Sequence, residues 1–177
     1  TDIGPVINPK QLADLEARVA EAVAAGARAL TGGKRSRKFA KGLFYEPTIL
    51  VDVRPEMRIV ATETFGPTMP IQKVRTIDEA IDAANAQEYG LGANIYTNNM
   101  EWAMTAMERI TAGTFWINDP LTDNEAGPFG GMKKTGHSRE LGIEGLDEFR
   151  ETKHVHLDYK QELKPYWYPY KKYNASR

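Results

Sequence analysis

Two stretches carry residue types whose spacing suits chemistry better than packing. In "TETFGP" (62–67) the carboxylate of Glu63 stands two residues before the ring of Phe65, and Gly66-Pro67 follows at once. A carboxylate only accepts hydrogen bonds, so it suits a ligand that offers hydroxyl protons, and a fixed Gly-Pro turn would aim carboxylate and ring together. In "AGPFGGMKKTGHSREL" (126–141) one aromatic, Phe129, sits on a backbone nearly stripped of side chains, which lets another chain segment or a ligand approach closely. Phe129 would then be a wall and not a catalyst. The Arg139-Glu140 pair that follows reads from spacing alone as an internal ion pair more readily than as a positioning device.

Other reaction centres are missing. The chain has no cysteine, hence no disulfide, thiolate metal site or thiol nucleophile of its own. His154 and His156 would share one face of a strand, but no third ligand accompanies them, so a solvated face is expected and no metal. No Ser-His-Asp order, phosphate-cradling Gly loop or paired His–carboxylate motif occurs. The basic run "KRSRK" (34–38) reads as a solvated loop between two strands. With 23 Lys and Arg against 24 Asp and Glu, no overall field draws the chain to nucleic acid or to a membrane surface. No apolar run approaches the roughly 18 residues of a membrane span, and no leader pattern opens the chain, so a cytoplasmic location is expected. The start, "TDIGPVINPK", lacks an initiator Met and enters loop-to-helix sequence directly, as a fragment would.

The elements that must position these residues are legible in outline. Asn8 reads as an N-cap, Pro9 as the first helical residue and Gln11 as the capping-box partner. Leu12, Leu15, Val19 and Val23 then face inward, Gly26 stops the helix, and Glu16, Arg18 and Glu21 face solvent. Strands follow in "ARALTGG" and "GLFYEPTILVDV". Three helix–strand units come next: "TIDEAIDAANAQ" (Thr76 cap, Glu79 box) with "GANIYT"; "NMEWAMTAMERITAG" (Asn98 cap, Glu101 box) with "TFWIN"; and "IEGLDEFRE" with "KHVHLD". This alternation predicts an α/β fold, a mostly parallel sheet flanked by helices. Met100, Met104 and Met107 have the spacing of a core face with Ile110. The tail 159–177, with five Tyr, a Trp and two Pro, is expected to lie on a neighbouring subunit.

Five blocks in order, "TETFGPTMPI", "EYGLGANIYT", "AGTFWIN", "GPFGGMKKTGHSRELG" and "EGLDEFRETKHVHLD", resemble the C-terminal half of NAD(P)-dependent aldehyde dehydrogenases. The resemblance runs from "DIGPVIN" to about Tyr159. It implies that Glu63 hydrogen-bonds the nicotinamide ribose hydroxyls of NAD or NADP, with Phe65 packed beside the same ribose and ring. It implies that Phe129 lines the substrate tunnel and that Glu140 supports the general base through water. The loop 119–127 would vary with aldehyde preference; Asp119, Asp123 and Glu125 there suggest neutral or cationic aldehydes.

The resemblance also implies what this chain lacks: the nucleophilic Cys, the general-base Glu and the Gly-rich cofactor domain all belong upstream of the segment "DIGPVIN" resembles. The expected whole is an oxidoreductase that turns an aldehyde into an acid through a cysteine thiohemiacetal and thioester. Its partners would be the aldehyde and the N-terminal portion of the same enzyme. Residues 1–152 would be the C-terminal part of the catalytic domain, inactive alone. Residues 153–177 would be an oligomerisation strand and tail, with "KHVHLDY" extending a partner's sheet in a homodimer or homotetramer. A non-catalytic remnant acting as an oligomerisation or interaction module is the alternative.

Overall fold

A computed structural model describes residues 3–39, 41–160 and 162–168. Helix α1 (Pro9–Ala24) begins as the sequence dictates: the Asn8 side chain accepts from the Gln11 backbone N–H at 2.8 Å. It ends in a Schellman turn, with Gly26 N–H on Val23 O and Ala27 N–H on Ala22 O. The buried stripe runs Leu12, Leu15, Val19, Ala22. Val23, expected inside, is exposed, because the stripe has rotated past it by the last turn.

Strand β1 (Arg28–Thr31) pairs antiparallel with β2 (Thr48–Val51), and β2 pairs parallel with β3 (Thr68–Pro70) beyond the short helix α2 (Arg58–Ala61). Leu12 and Leu15 of α1 meet Leu50, Val53, Met57 and Ile59 in one core. A second unit holds α3 (Ile77–Asn85), β4 (Tyr89–Gly90), β5 (Gly92–Ile95), α4 (Met100–Arg109) and β6 (Thr114–Ile117). There β5 and β6 pair parallel across α4. The two-residue strands β7 (Phe129–Gly130) and β8 (Met132–Lys133) pair antiparallel with β9 (Arg139–Glu140) and β4 respectively; the last helix is α5 (Gly142–Asp147).

The α/β reading holds, but the sheets are mixed and not mostly parallel. Parallel pairs occur where a helix fills the crossover, as α2 and α4 do; the β1–β2 link has no helix and returns antiparallel. Helix α3 is capped by Thr76, whose Oγ1 accepts the Glu79 N–H, but the Glu79 carboxylate turns to the Arg75 N–H and guanidinium instead of closing a box. Helix α4 is capped by Asn99 and not by Asn98. Asn85 joins the ends of both helices, donating to Arg109 O and accepting from Thr111 N–H.

Two further expectations are corrected. Met100, Met104 and Met107 are 69%, 42% and 40% exposed, while the small Ala103 and Ala106 are buried. Periodicity correctly finds an apolar face but says nothing of what covers it. "KHVHLD" carries no strand in the structure, since a strand exists only through a ladder partner and the described residues offer it none. Of the aromatic tail, Tyr166 and Trp167 meet edge to face at 6.5 Å; the tail from residue 169 onward lies outside the described residues. Among the described residues no helix is long and apolar enough to cross a membrane.

Candidate functional site

The loop that carries Glu63 and Phe65 leaves α2 at Thr62 and is strapped across α1. Three α1 residues at positions i, i+4 and i+7 hold it, the spacing that puts side chains on one helix face. Gln11 donates from Nε2 to Phe65 O at 2.9 Å. Leu15, fully buried, lies beneath Gly66: a Cβ on that glycine would stand 2.6 Å from Leu15 Cδ2. Arg18 shares its Nη1 hydrogens among Thr62 Oγ1 (2.6 Å), Glu63 O (3.0 Å) and Thr64 Oγ1 (3.0 Å). Beyond the strap, Pro67 O accepts the Thr48 N–H at 2.9 Å, joining the loop to β2. Gly66 has φ +147°, in the range that only glycine occupies freely.

Arg18 is itself fixed. Its Nε donates to Asp14 Oδ2 at 2.6 Å, and the other Asp14 oxygen takes Arg58 Nη1 at 3.1 Å. Arg58 also grips Glu21 with both arms of its fork, at 2.9 and 3.0 Å. The hydrogen bond from Arg18 is the main reason the Asp14 carboxyl titrates below its ordinary range; burial opposes it more weakly. Arg18, read from periodicity as a solvent-face residue, has a side chain only 14% exposed. Gln11, read as a capping-box partner, spends its side chain on the strap.

With both backbone carbonyls turned to α1, the functional groups are left outward. The Glu63 carboxylate has no hydrogen-bond or ion-pair partner among the described residues, and Phe65 is 66% exposed. An exposed carboxylate that only accepts hydrogen bonds and an exposed ring two residues along, both on a restrained backbone, suit a ligand that offers hydroxyl protons and an apolar face.

A second cluster forms around β7 and β9. Phe129 and Glu140 are direct cross-strand partners and line a cavity of about 300 Å³ with Leu91, Thr135, Ser138 and Arg139. Arg139 does not pair with Glu140. Its Nη1 donates to Gly131 O, His137 O and Ser138 O at 2.8–2.9 Å, clamping the loop from the inside. Gly130 is demanded by neighbouring backbone: a Cβ there would lie 2.2 Å from Ser138 O. Leu141, next to Glu140, has φ 62° and ψ 172°. A leucine held there costs about 1–3 kcal/mol, strain of the kind that collects at functional sites.

The acidic loop is exposed and partly self-organised, through Thr122 Oγ1 on Asp119 O and Trp116 Nε1 on Thr122 O, both at 2.8 Å. Glu125 O accepts the Gly142 N–H at 2.9 Å, tying the loop to the turn that follows Glu140. The carboxylates of Asp119 and Asp123 do not line the Phe129 cavity, and neither do Glu63 and Phe65. The structure thus brings Phe129 and Glu140 together and keeps the Glu63–Phe65 pair on its own strap. No group of three or more potential metal ligands occurs among the described residues. Sequence reasoning missed Gln11, Asp14 and Arg18; their only signal was polar residues continuing the face that Leu15 begins.

Comparison with known proteins gives the class: the chain belongs to the aldehyde dehydrogenase family, whose family model matches residues 1–155. Among individual relatives, the succinate-semialdehyde dehydrogenase [NADP(+)] of Deinococcus radiodurans is 39% identical over 155 residues, which is 88% of this chain and 32% of that protein. The crystal structure of lactaldehyde dehydrogenase from Escherichia coli superposes with a TM-score of 0.82 at 42% identity, over 87% of this chain and 32% of that one. The betaine aldehyde dehydrogenase of Staphylococcus aureus in complex with NAD+ gives a TM-score of 0.86 at 35% identity, over 95% of this chain and 34% of that one. The chain therefore spans about a third of the length of the relatives it matches.

Proposed function

We propose that this chain is part of an NAD(P)-dependent aldehyde dehydrogenase that oxidises an aldehyde to a carboxylic acid. The observation that carries the reading is the strap: the Glu63–Phe65 backbone is fixed to α1 while the carboxylate and ring stay free and outward. Glu63 accepts the hydroxyl protons of the nicotinamide ribose, and Phe65 covers the same sugar and ring. The bound nicotinamide supplies the hydride acceptor. Phe129 forms tunnel wall, and Glu140, its cross-strand neighbour, holds water for the general base. With no thiol among its 177 residues, the chain is inactive alone; the covalent step uses a cysteine from the rest of the enzyme.

Residues 1–152 serve the catalytic domain, and 153–177 serve assembly into a homodimer or homotetramer. The acidic side chains of Asp119 and Asp123 favour neutral or cationic aldehydes. NAD and NADP are both compatible with Glu63, which meets only the nicotinamide ribose.

Glu63→Gln in the complete enzyme is the test. Glutamine keeps the shape but puts a donor where two hydroxyl donors need an acceptor, so the cofactor KM rises about tenfold or more while the aldehyde KM holds. An unchanged cofactor KM overturns the assignment.

A further inference from the structure

Building on the ribose-binding role of Glu63, we infer that Arg18 is the positioning residue of that carboxylate. The hydrogen bonds of its side chain go to protein groups, Asp14 and three loop oxygens. Its three loop acceptors bracket Glu63 on both sides, at Thr62 and Thr64, and include the Glu63 carbonyl itself. The loop has no backbone ladder at this point: Thr62 closes α2 and β3 begins only at Thr68. A segment without a ladder is as ordered as the side chains that hold it.

The arrangement uses the geometry of arginine. Nε engages Asp14 while Nη1 engages the loop, so one planar group bridges helix and loop at a fixed angle. Asp14 is held in turn by Arg58, which lies in α2, the helix from which the loop departs. Both the origin of the loop and its middle are therefore referred to one carboxylate on α1. A lysine at 18 has one point of charge and cannot serve Asp14 and three loop oxygens in that geometry. Removing Arg18 leaves the Glu63 carbonyl without its donor and lets the turn around Glu63 swing, while Leu15 beneath Gly66 and Gln11 on Phe65 O keep the far end in place.

The test compares Arg18→Met, Arg18→Lys, Glu63→Gln and the Arg18→Met, Glu63→Gln double variant in the complete enzyme. Hydrogen–deuterium exchange by mass spectrometry is read on peptides covering 62–66, and steady-state KM is measured separately for cofactor and aldehyde. Arg18→Met raises uptake in 62–66 alone and raises the cofactor KM about tenfold, with the aldehyde KM unmoved. The double variant is no worse than Glu63→Gln, because both lesions act through one carboxylate. Arg18→Lys, which keeps the charge and the fold, behaves as Arg18→Met. An impaired Glu63→Gln beside a normal cofactor KM in both Arg18 variants overturns the positioning role alone. A normal Glu63→Gln overturns the ribose reading and the role built on it. Global uptake with both KM values raised together makes Arg18 a stabilising residue only and overturns the inference.

Discussion

Replacing Gly66 with alanine should couple the strapped loop to the hydrophobic core in a measurable way. The added Cβ would stand 2.6 Å and 3.0 Å from the two methyls of Leu15, a side chain with no exposed surface, at a backbone φ of +147°. Forcing a methyl into a filled core costs about 1–3 kcal/mol, and a strained backbone conformation adds about 1 kcal/mol or more. Gly66→Ala alone should therefore lose about 2–4 kcal/mol. Leu15→Ala alone should lose about 2–5 kcal/mol through the cavity it leaves. In the double variant the colliding methyls are gone, so the steric part of the Gly66→Ala cost vanishes and the total falls about 1–3 kcal/mol short of the sum. Urea unfolding of all four proteins, with m-values compared to check that the denatured states match, gives the four free energies. Additivity within about 0.5 kcal/mol would show that Gly66 does not rest on Leu15 and would refute the packing argument.

Two further outcomes follow from the same core and network. Tyr45 is 4% exposed and its hydroxyl lacks a partner among the described residues, the adjacent Thr48 hydroxyl being already engaged by Glu46 O and the Gly33 N–H; Tyr45→Phe should leave the unfolding free energy unchanged or raise it by up to about 1 kcal/mol. Asp14 titrates below its ordinary value of 3.8 in the folded chain, so its contribution is complete above that pH and is lost as acid carries it through the depressed value. Unfolding free energy followed from pH 6 down to pH 2 should therefore fall less steeply below 3.8 in Asp14→Asn than in the parent.

What could be read from the sequence was whatever lies close along the chain. Asn8, Thr76 and Gly26 cap or stop helices through neighbours three or four residues away, and the structure honours all three. The pairing of Phe129 with Glu140 was not read, although only a short glycine-rich return links them. Arg18 was not legible, since its loop acceptors lie 44 to 46 residues away and leave no mark in helical periodicity. The same limit explains Met100, Met104 and Met107. Spacing reports that a helix has an apolar side, whereas burial depends on a second surface, and among the described residues the inner side of α4 is made by Ala103 and Ala106. Strand direction failed for a related reason: alternation of helix and strand sets the direction only where the helix fills the link, and β1–β2 has none.

The seating of Gly66 on Leu15 has an evolutionary corollary. The turn that carries Glu63 and Phe65 and the interior of the β1–β2–β3 layer share a single van der Waals boundary, so neither can drift in volume without the other. Substitutions that swell or shrink the interior at this helix should shift the turn that carries Glu63 and Phe65, and compensating pairs should fall across that boundary before they fall around it.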